Sequence, residues 1–190
     1  MPGPEVWVFF GLIASGKSFL AEAWAARHGL SHLNSDRVRK ELAGAAAESG
    51  RGAGADQGIY TPEFSRSTYD ELLLRAAAAL RGGRSVLLDA SYQNRDERDR
   101  VRKWAAELRV ALHFVRCVCP EEEVKRRLRL RGADPKALSD GRWEILQLQR
   151  QRFEEPVELD ENMLLTISTD RPVGELMDQL DQIYEVSQHV

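Results

Sequence analysis

The chain has 190 residues, a formal charge of −3, and 43% hydrophobic and 30% charged residues, the balance of a soluble globular protein with enough chain for one full core. No apolar stretch approaches the ~20 residues of a membrane span and the first apolar run is only a strand long, so membrane and secretory classes are excluded and a cytoplasmic protein is expected. The acidic total offers no global attraction to nucleic acid.

Val6 to Phe10 reads as a buried strand, and it runs directly into Gly11-Leu12-Ile13-Ala14-Ser15-Gly16-Lys17-Ser18. This is G-x-x-x-x-G-K-S between a strand and an amphipathic stretch, the context in which glycines let backbone N–H groups point at phosphate oxygens at a helix N-terminus. Lys17 can reach the β- and γ-phosphates as a point charge, and the Ser18 hydroxyl can ligate Mg²⁺. The expected ATP contacts are Gly11, Ala14, Ser15, Gly16, Lys17, Ser18 and Phe19.

Leu20, Ala23 and Trp24 mark the inward face of the helix that follows, and Gly29 closes it. A short strand, Ser31 to Asn34, precedes a helix capped by Ser35, with Asp36 in its first turn and Arg39 one turn on. Residues 43–58 lack apolar periodicity and read as a loop or flap, part of a flexible acceptor-side segment over 43–68. A helix from about Thr61 carries Leu72, Leu73, Ala76, Ala77 and Leu80 inward and stops at Gly82-Gly83.

Val86 to Asp89 is a strand ending in a carboxylate, and the next helix carries Val101, Trp104, Ala105 and Leu108 inward. Val110 to Val118 reads as a central parallel strand. Pro120 opens a helix whose Glu121, Glu122 and Glu123 complement its dipole. Ser139 caps a further helix through Trp143, Leu146 and Phe153, with Trp24, Trp104 and Trp143 all expected in the core. A strand from Met163 to Ser168 and a helix from Pro172 complete the chain.

Strands alternating with helices predict a three-layer α/β/α fold of about five parallel strands in one domain spanning residues 1–190, with a small lid over about 126–140. The phosphate loop, Asp36 and Asp89 then meet beyond the carboxyl ends of the strands. Asp36 is placed to accept the proton of an attacking hydroxyl, and Asp89 to hold Mg²⁺ directly or through water. No glutamate follows Asp89, which favours a hydroxyl acceptor over water. Arg127 and Arg131, at i and i+4, can close over the nucleotide, with Arg126 on the adjoining face. Arg39 and Arg98 are candidate acceptor contacts, and Tyr60, Phe64 and Tyr69 candidate linings of the acceptor pocket. Cys117 and Cys119, at i and i+2 on a strand, point to opposite faces and stay reduced, and the four histidines show no metal-ligand spacing.

GLIASGKS, SDRVRKEL, RSVLLDASY and RRLRLRGADPKALSD, in that order, resemble the P-loop kinases that include polynucleotide kinases, zeta toxins and ATP-binding domains fused to aminoglycoside phosphotransferase-like kinases, the last most of all. The resemblance covers nearly the whole chain. It implies Lys17 and Ser18 on ATP and Mg²⁺, Asp36 as catalytic base beside Arg39, Asp89 near the metal or acceptor, and Arg127 and Arg131 in a lid. The expected function is a kinase acting on a small-molecule hydroxyl; the alternatives are a polynucleotide 5′-hydroxyl kinase, suggested by the two arginine groups 95–102 and 126–131, and a non-catalytic ATP-binding regulatory module.

Overall fold

The computed structural model describes residues 3–48, 61–132 and 141–187. Five strands, β1 (Glu5–Phe10), β2 (Ser31–Asn34), β3 (Val86–Ala90), β4 (Ala111–Val118) and β5 (Leu164–Ser168), form one parallel sheet in the order β2-β3-β1-β4-β5. Seven helices connect and flank them among the described residues: α1 (Lys17–His28), α2 (Ser35–Glu48), α3 (Pro62–Arg81), α4 (Arg95–Leu108), α5 (Glu121–Gly132), α6 (Gly141–Arg152) and α7 (Val173–Ser187). The chain is an α/β fold, a parallel sheet with helices packed on both faces, as its sequence predicts.

Side-chain alternation along β1 divides the core. Val6, Val8 and Phe10 meet Val38 of α2, Tyr69, Leu72 and Ala76 of α3 and Val101 of α4 on one face. Trp7 and Phe9 meet Leu20 and Trp24 of α1 and Leu176 and Leu180 of α7 on the other. Every residue of β1 is buried, since both faces are covered and both edges paired. Removing the fully buried Leu72 side chain to Ala would cost about 2–5 kcal/mol through lost transfer energy and the void left behind.

Strand order reverses at β1, with β2 and β3 on one side and β4 and β5 on the other, so the crevice at its carboxyl end is where this topology holds a ligand. The loop 11–16 and the N-terminus of α1 lie there.

Several boundaries differ from expectation. Residues 43–48, expected to be loop, continue α2, because Ala45-Ala46-Ala47 is strongly helix-forming and needs no apolar stripe to stay helical; residues 49–60, Tyr60 included, lie outside the described residues. Asn34, not Ser35, caps α2: its Oδ1 accepts the Arg37 N–H at 3.0 Å. Trp24 is buried and Trp104 packs partly on the core, but Trp143 and Leu108 are exposed, the Trp143 ring lying 5.7 Å from Lys125 Nζ. The lid segment 133–140 and the Ser139 cap fall outside the described residues, as does the Arg131 side chain.

Candidate active site

The loop between β1 and α1 depends on backbone conformations that its sequence permits. Gly11 has φ +149°, and a Cβ there would collide with the Cys117 carbonyl of β4. Gly16 has φ +82°, and its Cβ would stand 2.7 Å from Arg127 Nη1 and 2.8 Å from Thr169 Oγ1. Ala14 between them is also left-handed, at φ +59°, a conformation that L-residues keep only when their surroundings over-determine it. The N–H groups of the first turn of α1 have no intrahelical acceptor and face the positive end of the helix dipole, a ready site for an anion.

Asp89, at the end of β3, is fully buried. Ser18 Oγ donates to its Oδ1 at 3.2 Å, Asn34 Nδ2 donates to its Oδ2 at 2.6 Å, and His32 Nε2 lies 3.3 Å from that oxygen. Burial alone would push this carboxyl upward, but the hydrogen bonds from His32, Asn34 and Ser18, together with the Lys17 charge, outweigh it and hold Asp89 below the usual carboxylate range. An ionised carboxylate beside a serine hydroxyl at the loop's end suits Mg²⁺, which takes one or two protein oxygens plus phosphate and water. Among the described residues there is no cluster of three or more His, Cys, Asp or Glu able to cage a metal.

Asp36 stands exposed in the first turn of α2, while Arg39, one turn on, is buried and donates to Ser65 Oγ of α3 at 3.2 Å. Tyr69, expected near the acceptor, is buried in the core with its hydroxyl 3.2 Å from Ser91 Oγ, and burial pushes its phenol upward. Phe64 is half-buried. Arg98 is not an acceptor contact. Its side chain is fully buried, donating from Nε to Glu158 at 2.5 Å and from Nη1 to the Tyr92 carbonyl at 2.8 Å, so it ties the turn after β3 to the segment before β5.

Arg127 of α5 grips the loop. It donates to the Ala14 carbonyl at 3.3 Å, to Thr169 Oγ1 at 3.1 Å and to the Thr169 carbonyl at 2.5 Å, while its Nε meets Glu123 at 2.8 Å. Hydrogen bonds from Arg126 and Arg127 pull the Glu123 carboxyl down to about 2. Arg126 itself is exposed and spends its guanidinium on Glu123.

Four polar residues here escaped sequence reading: His32, Asn34, Gln149 and Thr169. The first two had a signal, because i and i+2 on β2 share a face and Asn34 pairs in register with Asp89. Thr169, just past β5, donates from Oγ1 to the Ser15 carbonyl at 2.5 Å. Gln149 Oε1 accepts the Ile13 N–H at 2.7 Å across 136 residues of sequence, and no local pattern announces that.

The arginine group over 95–102 is neutralised by ion pairs, whereas in the second group Arg126 and Arg127 share one carboxylate, Glu123. Arg95 and Arg102 pair with Asp99, Arg100 with Asp70, and Arg98 with Glu158. Cys117 and Cys119 are both free, Cys117 buried and its thiol pushed up to about 12 by that burial. No helix of the described residues is long and apolar enough to cross a membrane.

Residues 6–156 match the family model AAA_33, described as AAA domain. The uncharacterized protein Rv2004c of Mycobacterium tuberculosis is 31% identical over 103 residues, 54% of this chain but only 21% of that protein, so the match spans about a fifth of the relative's length. Among solved structures, a putative kinase from Chloroflexus aurantiacus aligns with TM-score 0.73 and 20% identity over 98% of this chain and 99% of its own. The APS kinase CysC of Mycobacterium tuberculosis, in complex with AMPPNP and APS, aligns with TM-score 0.65 and 23% identity over 97% and 99%. A gluconokinase from Sinorhizobium meliloti aligns with TM-score 0.67 and 20% identity over 100% and 97%. These likenesses establish a shared fold.

Proposed function

The chain belongs to the AAA domain family, and on that footing we propose that it is an ATP-dependent kinase transferring the γ-phosphoryl group to a hydroxyl of a small-molecule acceptor. The observation that carries this reading is the Ser18–Asp89 contact at 3.2 Å, which puts an ionised, buried carboxylate beside the serine of a complete phosphate loop. Solved structures of the same fold include kinases of small molecules, and one of them was solved with an ATP analogue and its acceptor.

In this reading Lys17 and the first-turn amides of α1 hold the polyphosphate, and Ser18 with Asp89 would hold Mg²⁺, which supplies charge neutralisation between the β- and γ-phosphates. Asp36 accepts the proton as the acceptor oxygen bonds to the γ-phosphorus, the bond from that phosphorus to the β–γ bridging oxygen breaks, and ADP leaves. Arg39 orients the acceptor and Arg131 places positive charge along the transferred group, while Arg127, bonded to Glu123, Ala14 and Thr169, supports the loop that holds the nucleotide. The order of the motifs GLIASGKS, SDRVRKEL and RSVLLDASY supports a finer proposal, that this is an ATP-binding domain of the kind joined to a second kinase-like domain. The paired arginines and the net charge of −3 favour a small acceptor over a polynucleotide.

The test has two stages. Titration with Mg-ATP shows saturable binding, and a metabolite library incubated with ATP yields a compound heavier by one phosphoryl group, a product missing with Asp36→Asn. No nucleotide binding, or no phosphorylated product across the library, overturns the kinase reading.

A further inference from the structure

Three consecutive residues at the middle of the phosphate loop are held by backbone hydrogen bonds to three different parts of the chain. The Ile13 N–H is taken by Gln149 of α6, the Ala14 carbonyl by Arg127 of α5, and the Ser15 carbonyl by Thr169 after β5. We propose that Gln149 is a positioning residue for nucleotide binding: by accepting the Ile13 N–H it fixes, together with Arg127, the left-handed turn at Ala14 that aims the following amides at the polyphosphate. The inference rests on the kinase reading above, since it concerns the same loop.

Packing cannot do this work alone. Gly11, Leu12 and Ile13 border a cavity of about 120 Å³ whose other walls include Cys119, Val124 and Leu146, so the first half of the loop has open space on one side. Leu12 and Ile13 pack only partly, against the cluster that includes Val124, Leu128 and Leu146, and on the open side directional bonds decide position. Ala14 packs in the same cluster as Val124, Leu128 and Leu146, which brings α5 and α6 to the one non-glycine residue of the loop at positive φ. Its conformation therefore depends on α5 and α6 staying seated.

Gln149 does not compete with the phosphate. The expected ATP contacts, Gly11 and the run from Ala14 to Phe19, leave out Ile13, and the anion is favoured at the start of α1. The Ile13 N–H lies upstream of the turn, so bonding it to α6 anchors the hinge and leaves the cradle open. The amide of Gln149 presents its oxygen there because the partner is a backbone donor.

Gln149→Met keeps the length of the side chain and removes the acceptor. Mg-ATP affinity is expected to fall about tenfold, equivalent to about 1.4 kcal/mol, with faster hydrogen exchange at the Ile13 amide, while Gln151→Met on the exposed part of the same helix changes neither. Gln149→Glu keeps an acceptor oxygen and retains slow exchange at Ile13, which separates a lost bond from a damaged helix and stands in if the Met variant does not fold. Unchanged affinity in Gln149→Met, tighter binding, equal losses in the Gln151 control, or fast Ile13 exchange in both wild type and Gln149→Glu overturns the assignment. Wild-type protein that binds no Mg-ATP overturns the kinase reading instead, whatever the exchange at Ile13 shows.

Discussion

Two carboxylates end up on neighbouring elements at the carboxyl side of the sheet and are treated in opposite ways. Asp89 is at 0% exposure, with Ser18, Asn34 and His32 gathered on its two oxygens, whereas Asp36 stands exposed in the first turn of α2. A group that must keep one geometry through a reaction gains from a strand end, where pairing on both sides fixes the backbone and burial fixes the side chain. One that must meet a changing ligand gains from the first turn of a helix, where a carboxylate is stabilised by the dipole yet remains open to solvent. The division of labour proposed for them, metal holder and base, follows that physical difference.

The sharpest way to break the comparison is to neutralise the exposed member. Asp36→Asn should lower kcat by about 10²–10⁴-fold while Mg-ATP affinity stays within about twofold, because the base acts on the acceptor and not on the nucleotide. Steady-state kinetics beside calorimetric titration check this, and full retained activity would remove the base assignment. Neutralising the buried member should act on the other quantity. Asp89→Asn is expected to weaken Mg-dependent nucleotide binding by about 10–100-fold, read as the difference between titrations with and without Mg²⁺.

Acid should act on the buried carboxylate more gently. Asp89 is held below its ordinary value when folded, so its ionised form contributes stability that is complete above the unfolded carboxylate value of about 3.9 and is lost as pH falls through the lower, folded value. Urea unfolding midpoints of wild type and Asp89→Asn should therefore converge as pH drops below about 4 and stay parallel above about 5. Convergence at neutral pH would contradict the hydrogen-bonded carboxylate. The smallest expected effect concerns the helix that carries Asp36. Gly44 lies inside α2 with open space where a Cβ would go, so Gly44→Ala should stabilise the protein by about 0.5–1 kcal/mol, measured as a raised unfolding midpoint with kcat unchanged.

Much of this was legible in the residues themselves. The motif from Gly11 to Ser18, the strand ending at Asp89 and the alternation of strand and helix depend on local spacing, and local spacing is what a chain states directly: glycines where side chains would collide, apolar runs where both faces are covered. The helical course of residues 43–48 was misread because an alanine run is helical through low entropy cost and not through an apolar stripe, so periodicity is silent there. Arg98 was misread as an acceptor contact because a guanidinium in a charged stretch looks available to a ligand until a distant Glu158 closes over it.

What the order of residues could not announce is which far-off side chain lands on which backbone group. Gln149 on Ile13, Thr169 on Ser15 and His32 with Asn34 on Asp89 join segments between 55 and 154 residues apart, and those pairs come into being only when the sheet takes the order β2-β3-β1-β4-β5 and brings the helices to the loop. Chemistry of the phosphate loop is written in a contiguous octet; the support that holds it in shape is a property of the assembled fold.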